Sequence, residues 1–201
     1  YYAYSHTLLG KKELKKGFEL YEERLKTNNI NKQTNLKERV DIPLSYWNGY
    51  DNCDRLLVVA EQGLGDNILY YRFIIELSEK YPLMKITYFC KKEIAHIFKT
   101  YDNIEIKEEL FVVNYDYKLY IMSLPKILNV SIISPNKINY INTNVDKLNY
   151  WNERTSKLKK MKVGFVYNGL LSSFIEKYIP LKEFEILCDL NIELICIHRK
   201  N

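Results

Sequence analysis

Arg55-Leu56-Leu57-Val58-Val59-Ala60 runs directly into Glu61-Gln62-Gly63-Leu64-Gly65-Asp66-Asn67. After Arg55 the first stretch is a continuous apolar run, short enough for a strand buried on both faces. The second stretch is a glycine turn. A helix is predicted after it, over about residues 67–81, with Pro82 as its stop. Strand, glycine turn and helix in that order open a parallel α/β unit. Further on, residues 85–90 predict a second strand. Residues 91–100 predict a short helix with Ile94, Ile97 and Phe98 on one face. Residues 103–106 and 117–121 predict two more strands, and residues 123–128 a helical turn with Pro125 in it. This alternation predicts a parallel sheet with helices on both faces.

The flanks read differently. Residues 1–27 predict two helices broken at Gly10, the second carrying Leu14, Phe18, Tyr21 and Leu25 at helical spacing. Residues 28–54 read as a linker, polar and rich in Asn and Lys up to Pro43. Residues 55–144 are the first Rossmann-like domain, and residues 145–160 a hinge holding a helix over 145–158. A second sheet is expected to begin in residues 161–201, with strands at 162–167 and 192–197 around a helix at 181–190. The chain opens on Tyr1 and stops at Asn201 just after a strand, so the second domain is expected to be truncated.

Composition narrows the function classes. Hydrophobic residues make up 47% and charged residues 27%, values of a folded globular chain. The net charge of +5 is too mild to argue for nucleic acid, and the lysines are dispersed. No apolar run approaches the roughly 20 residues that cross a bilayer. Cys53, Cys90, Cys188 and Cys196 form no C-x-x-C and have no histidine at ligand spacing. Cys90 and Cys196 read as small buried hydrophobes in strands. A reducing, cytoplasmic setting without structural metal is expected.

The chemistry concentrates in two glycine turns. Gln62, Gly63, Gly65, Asp66 and Asn67 lie at the carboxyl end of a strand, the edge where open α/β sheets bind ligands. The plainer reading is a tight turn with Asp66 as the helix N-cap. Hydrogen bonds and the dipole of a helix start favour an ionised carboxylate, so Asp66 would be a weak base, useful late in a transition state. The turn is neither a dinucleotide fingerprint nor a P-loop, since it lacks a third glycine and a Gly-Lys-Ser/Thr. The second turn, Tyr167-Asn168-Gly169, precedes Lys177, which is either a phosphate contact or an exposed surface lysine.

Several motifs together resemble a known family. Glu61-Gln62-Gly63-Leu64-Gly65-Asp66-Asn67-Ile68 with Tyr71-Arg72-Phe73 is similar to the EQGLGD signature of bacterial tetratricopeptide-repeat proteins ending in a heptosyltransferase-like domain (glycosyltransferase family nine). Gly17-Phe18, Tyr21-Glu22 and Arg24 resemble the end of that family's last helical repeat. Trp47-Asn48-Gly49, Ser123-Leu124-Pro125, Tyr140-Ile141, residues 162–167 and residues 177–181 resemble later landmarks in the same order. Tyr167 stands where Trp is usual, and Lys177 where Arg is usual.

The resemblance implies a GT-B fold, with two Rossmann-like domains behind a tetratricopeptide-type helical pair. It implies inverting, metal-independent transfer of a sugar from a nucleotide-sugar donor to a hydroxyl acceptor on a protein or glycan, with no cofactor. By position Asp66 would be the catalytic base, with Gln62, Gly63, Gly65 and Asn67 as the acceptor-side loop. Tyr167, Asn168, Gly169 and Lys177 would face the donor. The family's later donor motif is absent from these residues, so the stretch alone is expected to be inactive. The alternative is a non-catalytic helical-repeat module that grips a protein partner, with a vestigial or truncated transferase domain.

Overall fold

Strand β1 (Arg55–Val59) exposes only Arg55; its other four residues are buried, as an apolar run covered on both sides must be. In the computed structural model, which describes residues 1–26, 42–110, 114–133, 139–166 and 179–197, this strand is the centre of a parallel sheet. It leads through helix α3 (Leu64–Lys80) to β2 (Lys85–Phe89), with Leu56 opposite Ile86 and Val59 opposite Phe89. The one-turn helix α4 (Lys92–Ala95) leads on to β3 (Ile104–Lys107), which adds outside β2. Strand β4 (Tyr117–Tyr120) pairs with the other side of β1, giving the order β3-β2-β1-β4. A helical turn and α5 (Leu124–Ile127) follow β4. Ser45 to Trp47 run beside β4, where the Lys118 N–H donates to Ser45 O and the Trp47 N–H to Lys118 O.

The period of two along β1 separates two apolar layers. Leu56 and Val58 join Tyr71, Ile74, Leu77, Ile94 and Phe98 in the main core. Leu57 and Val59 join Phe89 and Tyr120 on the opposite face, covered by Leu25, Ile42, Leu44, Leu110 and Tyr115. The alternation predicts helices on both faces, yet the described cover of this second face is irregular chain and the 3-10 turn that carries Leu25.

The start of the chain forms α1 (Tyr2–Gly10) and α2 (Leu14–Tyr21), followed by a 3-10 turn (Glu22–Lys26). The two helices touch at Gly17, where an added Cβ would lie 2.7 Å from Leu9 Cδ2. Phe18 and Tyr21 enter the main core beside Met122 and Leu124. Tyr1–Asn142 therefore forms one compact unit containing both the helical pair and the sheet.

Thr143–Asn201 is a second unit. Its helix α6 (Val145–Ser156) is capped by Asn144, whose side chain accepts the Lys147 N–H at 2.9 Å. Strands β5 (Met161–Phe165) and β6 (Ile192–Cys196) are parallel, and Phe165 packs on Phe184 with ring centroids 4.8 Å apart. The helix expected at residues 181–190 winds as a 3-10 helix, Leu181–Leu187.

The cysteines divide by burial. Cys90 is buried, but Cys196 is exposed, contrary to its reading as a core residue. It ends β6, in a two-stranded sheet where no β6 residue is fully covered. Burial, then the charge of Asp116, pushes the half-buried Cys53 thiol up to about 11. At pH 8 a maleimide is expected to label Cys188 and Cys196 within minutes and Cys53 at least tenfold more slowly, since only thiolate reacts. Peptide mapping reads the order; equal labelling of Cys53 would reject it.

Candidate functional site

The glycine loop begins where β1 ends. Gln62 has a φ of 62°, the left-handed region that a residue with a Cβ seldom adopts. Gly63 follows with φ −81° and caps α3, so the helix starts at Leu64, three residues before the start read from sequence. Asp66 is consequently not the N-cap. It sits at the third helical position, and its Oδ2 accepts the Gly63 N–H at 2.9 Å. An added Cβ on Gly63 would lie 3.0 Å from that oxygen, whereas one on Gly65 would meet nothing within 4 Å. Neither the backbone nor the packing of the described residues therefore calls for glycine at position 65. Its bare backbone leaves open space over the first helical turn.

Asn67 holds the loop from beneath. It is 3% exposed, and its Nδ2 donates to Glu61 O at 2.8 Å and to Gly63 O at 2.7 Å. Its Oδ1 accepts the Tyr88 hydroxyl from β2 at 2.9 Å. With three hydrogen bonds inside the protein, it braces the loop and does not face a ligand.

Behind the loop lies a buried ion pair. Arg24 is 0% exposed and Glu61 2%. The guanidinium forks onto the carboxylate, Nε to Oε2 at 3.1 Å and an Nη to Oε1 at 2.7 Å. It also donates to Ser123 Oγ at 2.8 Å, Glu22 Oε1 at 2.6 Å and Tyr21 O at 3.3 Å. Glu61 Oε1 further accepts the Met122 N–H at 3.1 Å. Burial alone would lower the proton affinity of Arg24. The hydrogen bonds and charges of Glu61 and Glu22 outweigh it, so the net shift is upward and the guanidinium stays charged. Next to it the Tyr21 hydroxyl accepts Gln62 Nε2 at 2.8 Å and donates to Met122 Sδ at 3.4 Å. Burial, followed by Tyr2, raises the pKa of Tyr21, which keeps this hydroxyl protonated.

Of the residues expected at the site, Gly63 and Gly65 are exposed, and Gln62 and Asp66 are half-buried. Tyr167, Asn168, Gly169 and Lys177 lie outside the described residues. Sequence reasoning missed the ion pair. Tyr21-Glu22-x-Arg24, Glu61-Gln62 and Ser123 each sat in a separate motif, and no local spacing said that they meet. Among the described residues no helix is long and apolar enough to cross a membrane. No family model, no curated protein and no solved structure matches the chain, and the geometry of the site carries the functional reading.

Proposed function

We propose that this chain is the acceptor-side part of a glycosyltransferase that moves a sugar from a nucleotide-sugar donor to an acceptor hydroxyl, inverting and without metal. The supporting observation is how the loop sorts its two carboxylates. Glu61 is buried and neutralised by the forked Arg24, so it is unavailable to a substrate. Asp66 stays at the surface of an open glycine turn, and among the described residues its Oδ1 accepts no hydrogen bond. In the proposed step the acceptor oxygen bonds to the anomeric carbon as its proton passes to Asp66. The bond from that carbon to phosphate breaks, and the nucleoside diphosphate leaves with the electron pair. Tyr167, Asn168, Gly169 and Lys177 would receive the donor. A cytoplasmic setting, where nucleotide sugars are made and thiols stay reduced, suits the reading, and none of the four cysteines is in a disulfide.

The test uses the natural full-length protein and a panel of nucleotide sugars, following nucleotide release. Asp66→Asn keeps an oxygen for the Gly63 N–H, so the turn survives while the base is lost. Transfer is expected to fall about 10²- to 10⁴-fold. Gly65→Ala puts a methyl into open space, so thermal stability should hold while acceptor affinity drops. Wild-type turnover in Asp66→Asn would reject Asp66 as the base. Absence of transfer from every donor would reject the activity.

A further inference from the structure

The buried guanidinium occupies a place where open α/β sheets take a ligand. The strand order reverses between β1 and β4, and the usual crevice lies outside the carboxyl ends of those two strands. Glu61 follows β1, Ser123 follows β4, and Arg24 bonds to both. A second tie runs beside it, from the Tyr21 hydroxyl to the side chain of Gln62. Gln62 is the residue whose left-handed backbone turns the chain from the strand into the helix cap.

We propose that the helical pair is an intramolecular ligand of the switch point. Arg24 takes the place of a bound molecule, and with Tyr21 it acts as a positioning residue for the glycine loop. Two consequences follow. A substrate must meet the loop from its exposed side, at Gly63 and Gly65, because the inner crevice is filled. The geometry of the loop also depends on the helical pair staying docked. Three independent ties converge on residues 61–63: Arg24 through the Glu61 carboxylate, Tyr21 through the Gln62 amide, and Asn67 through two carbonyls. Two of the three originate at the end of the helical pair, Tyr21 as the last residue of α2 and Arg24 in the 3-10 turn that follows it. This inference concerns the conformation of the loop and stands whether or not sugar transfer is the activity.

The experiment is residue-resolved amide hydrogen exchange. Tyr21→Phe removes one hydroxyl and leaves the ring packed. The Gly63 and Asn67 amides, bonded to Asp66 and to Gly63 O, are expected to exchange about 5- to 10-fold faster. The Val58 and Tyr88 amides in β1 and β2 report global unfolding; they should stay the slower set and accelerate only by as much as the variant lowers global stability. The double variant Arg24→Met/Glu61→Leu removes the charged tie without stranding a charge, and should accelerate the loop amides further. If the double variant does not fold, Tyr21→Phe decides alone. Unchanged loop exchange would overturn the proposal. So would loop amides that exchange at the strand rate before and after the substitution, because the loop would then open only with the whole fold.

Discussion

Arg24→Met is expected to lower folding stability by about 3–5 kcal/mol, because it leaves the Glu61 carboxylate buried without its cation. The apolar stem of Met fills much of the same space, so lost packing is the smaller part. The remaining Met122 N–H bond to Glu61 Oε1 is too little to solvate a full charge. Adding Glu61→Leu should restore most of the loss, since an ion pair replaced by apolar residues no longer carries a desolvation cost. Ser123 Oγ and the Met122 N–H then lack their partners, so recovery should stop about 1–3 kcal/mol short of wild type. Arg24→Lys should fall in between. An ammonium keeps the charge but cannot fork onto both carboxylate oxygens while also reaching Ser123. Urea unfolding midpoints give the order. A single variant within 1 kcal/mol of wild type would mean that water reaches the pair and that it does not hold the helical pair in place.

This network also marks the limit of what the sequence reveals. The apolar run of residues 56–59 makes β1 legible because all four of its residues are buried, and covering a strand on both faces requires such a run. The strands β2, β3, β4, β5 and β6 fall where composition places them, as local side-chain pattern decides them. The start of α3 was displaced by three residues for a physical reason. Gly63-Leu64-Gly65-Asp66 looks like turn chemistry, but Gly63 caps the helix with negative φ and the next three residues wind into its first turn. At Gly65 glycine serves for the space it leaves, since an added Cβ would meet nothing within 4 Å. Arg24 is a stronger case. In the sequence Arg24 stands only as part of a motif resembling the end of a helical repeat, with Glu22 and Glu23 beside it and nothing to mark it as buried. The pairing that buries it reaches across 37 positions to Glu61 and 99 to Ser123, distances at which no periodicity carries information. Cys196 failed in the opposite sense: an apolar run announces burial, but a two-stranded sheet leaves the end of β6 uncovered.

Asn67 offers the sharpest separation between bracing the loop and serving a ligand. Asn67→Ala is expected to destabilise the fold by about 2–4 kcal/mol, since the Glu61 carbonyl and the Tyr88 hydroxyl each lose a short hydrogen bond to Asn67 inside the core. Gly63 O is less affected because it also accepts the Asn67 backbone N–H, at 3.2 Å. The nearly isosteric Asn67→Asp should be worse than alanine at pH 7. Its second oxygen would face two carbonyl oxygens at the distances where Nδ2 now donates, 2.8 and 2.7 Å, and its charge would be buried beside Glu61. Two terms oppose this: the Tyr88 hydroxyl can still donate to one carboxylate oxygen, and a carboxylate in the first turn of α3 gains from the helix dipole by no more than about 1 kcal/mol. Burying a charge without a cation, with its other oxygen against two carbonyls, costs more than these two terms return, so the ranking Asn above Ala above Asp should hold. Lowering the pH should bring Asp back towards Ala, because a protonated carboxyl can donate to one of the two carbonyls. Thermal melts of the three proteins at pH 7 and pH 5 test the order. An Asp variant as stable as wild type at pH 7 would mean that the amide nitrogen does not point at the loop carbonyls, and that the loop is held from the helical pair alone.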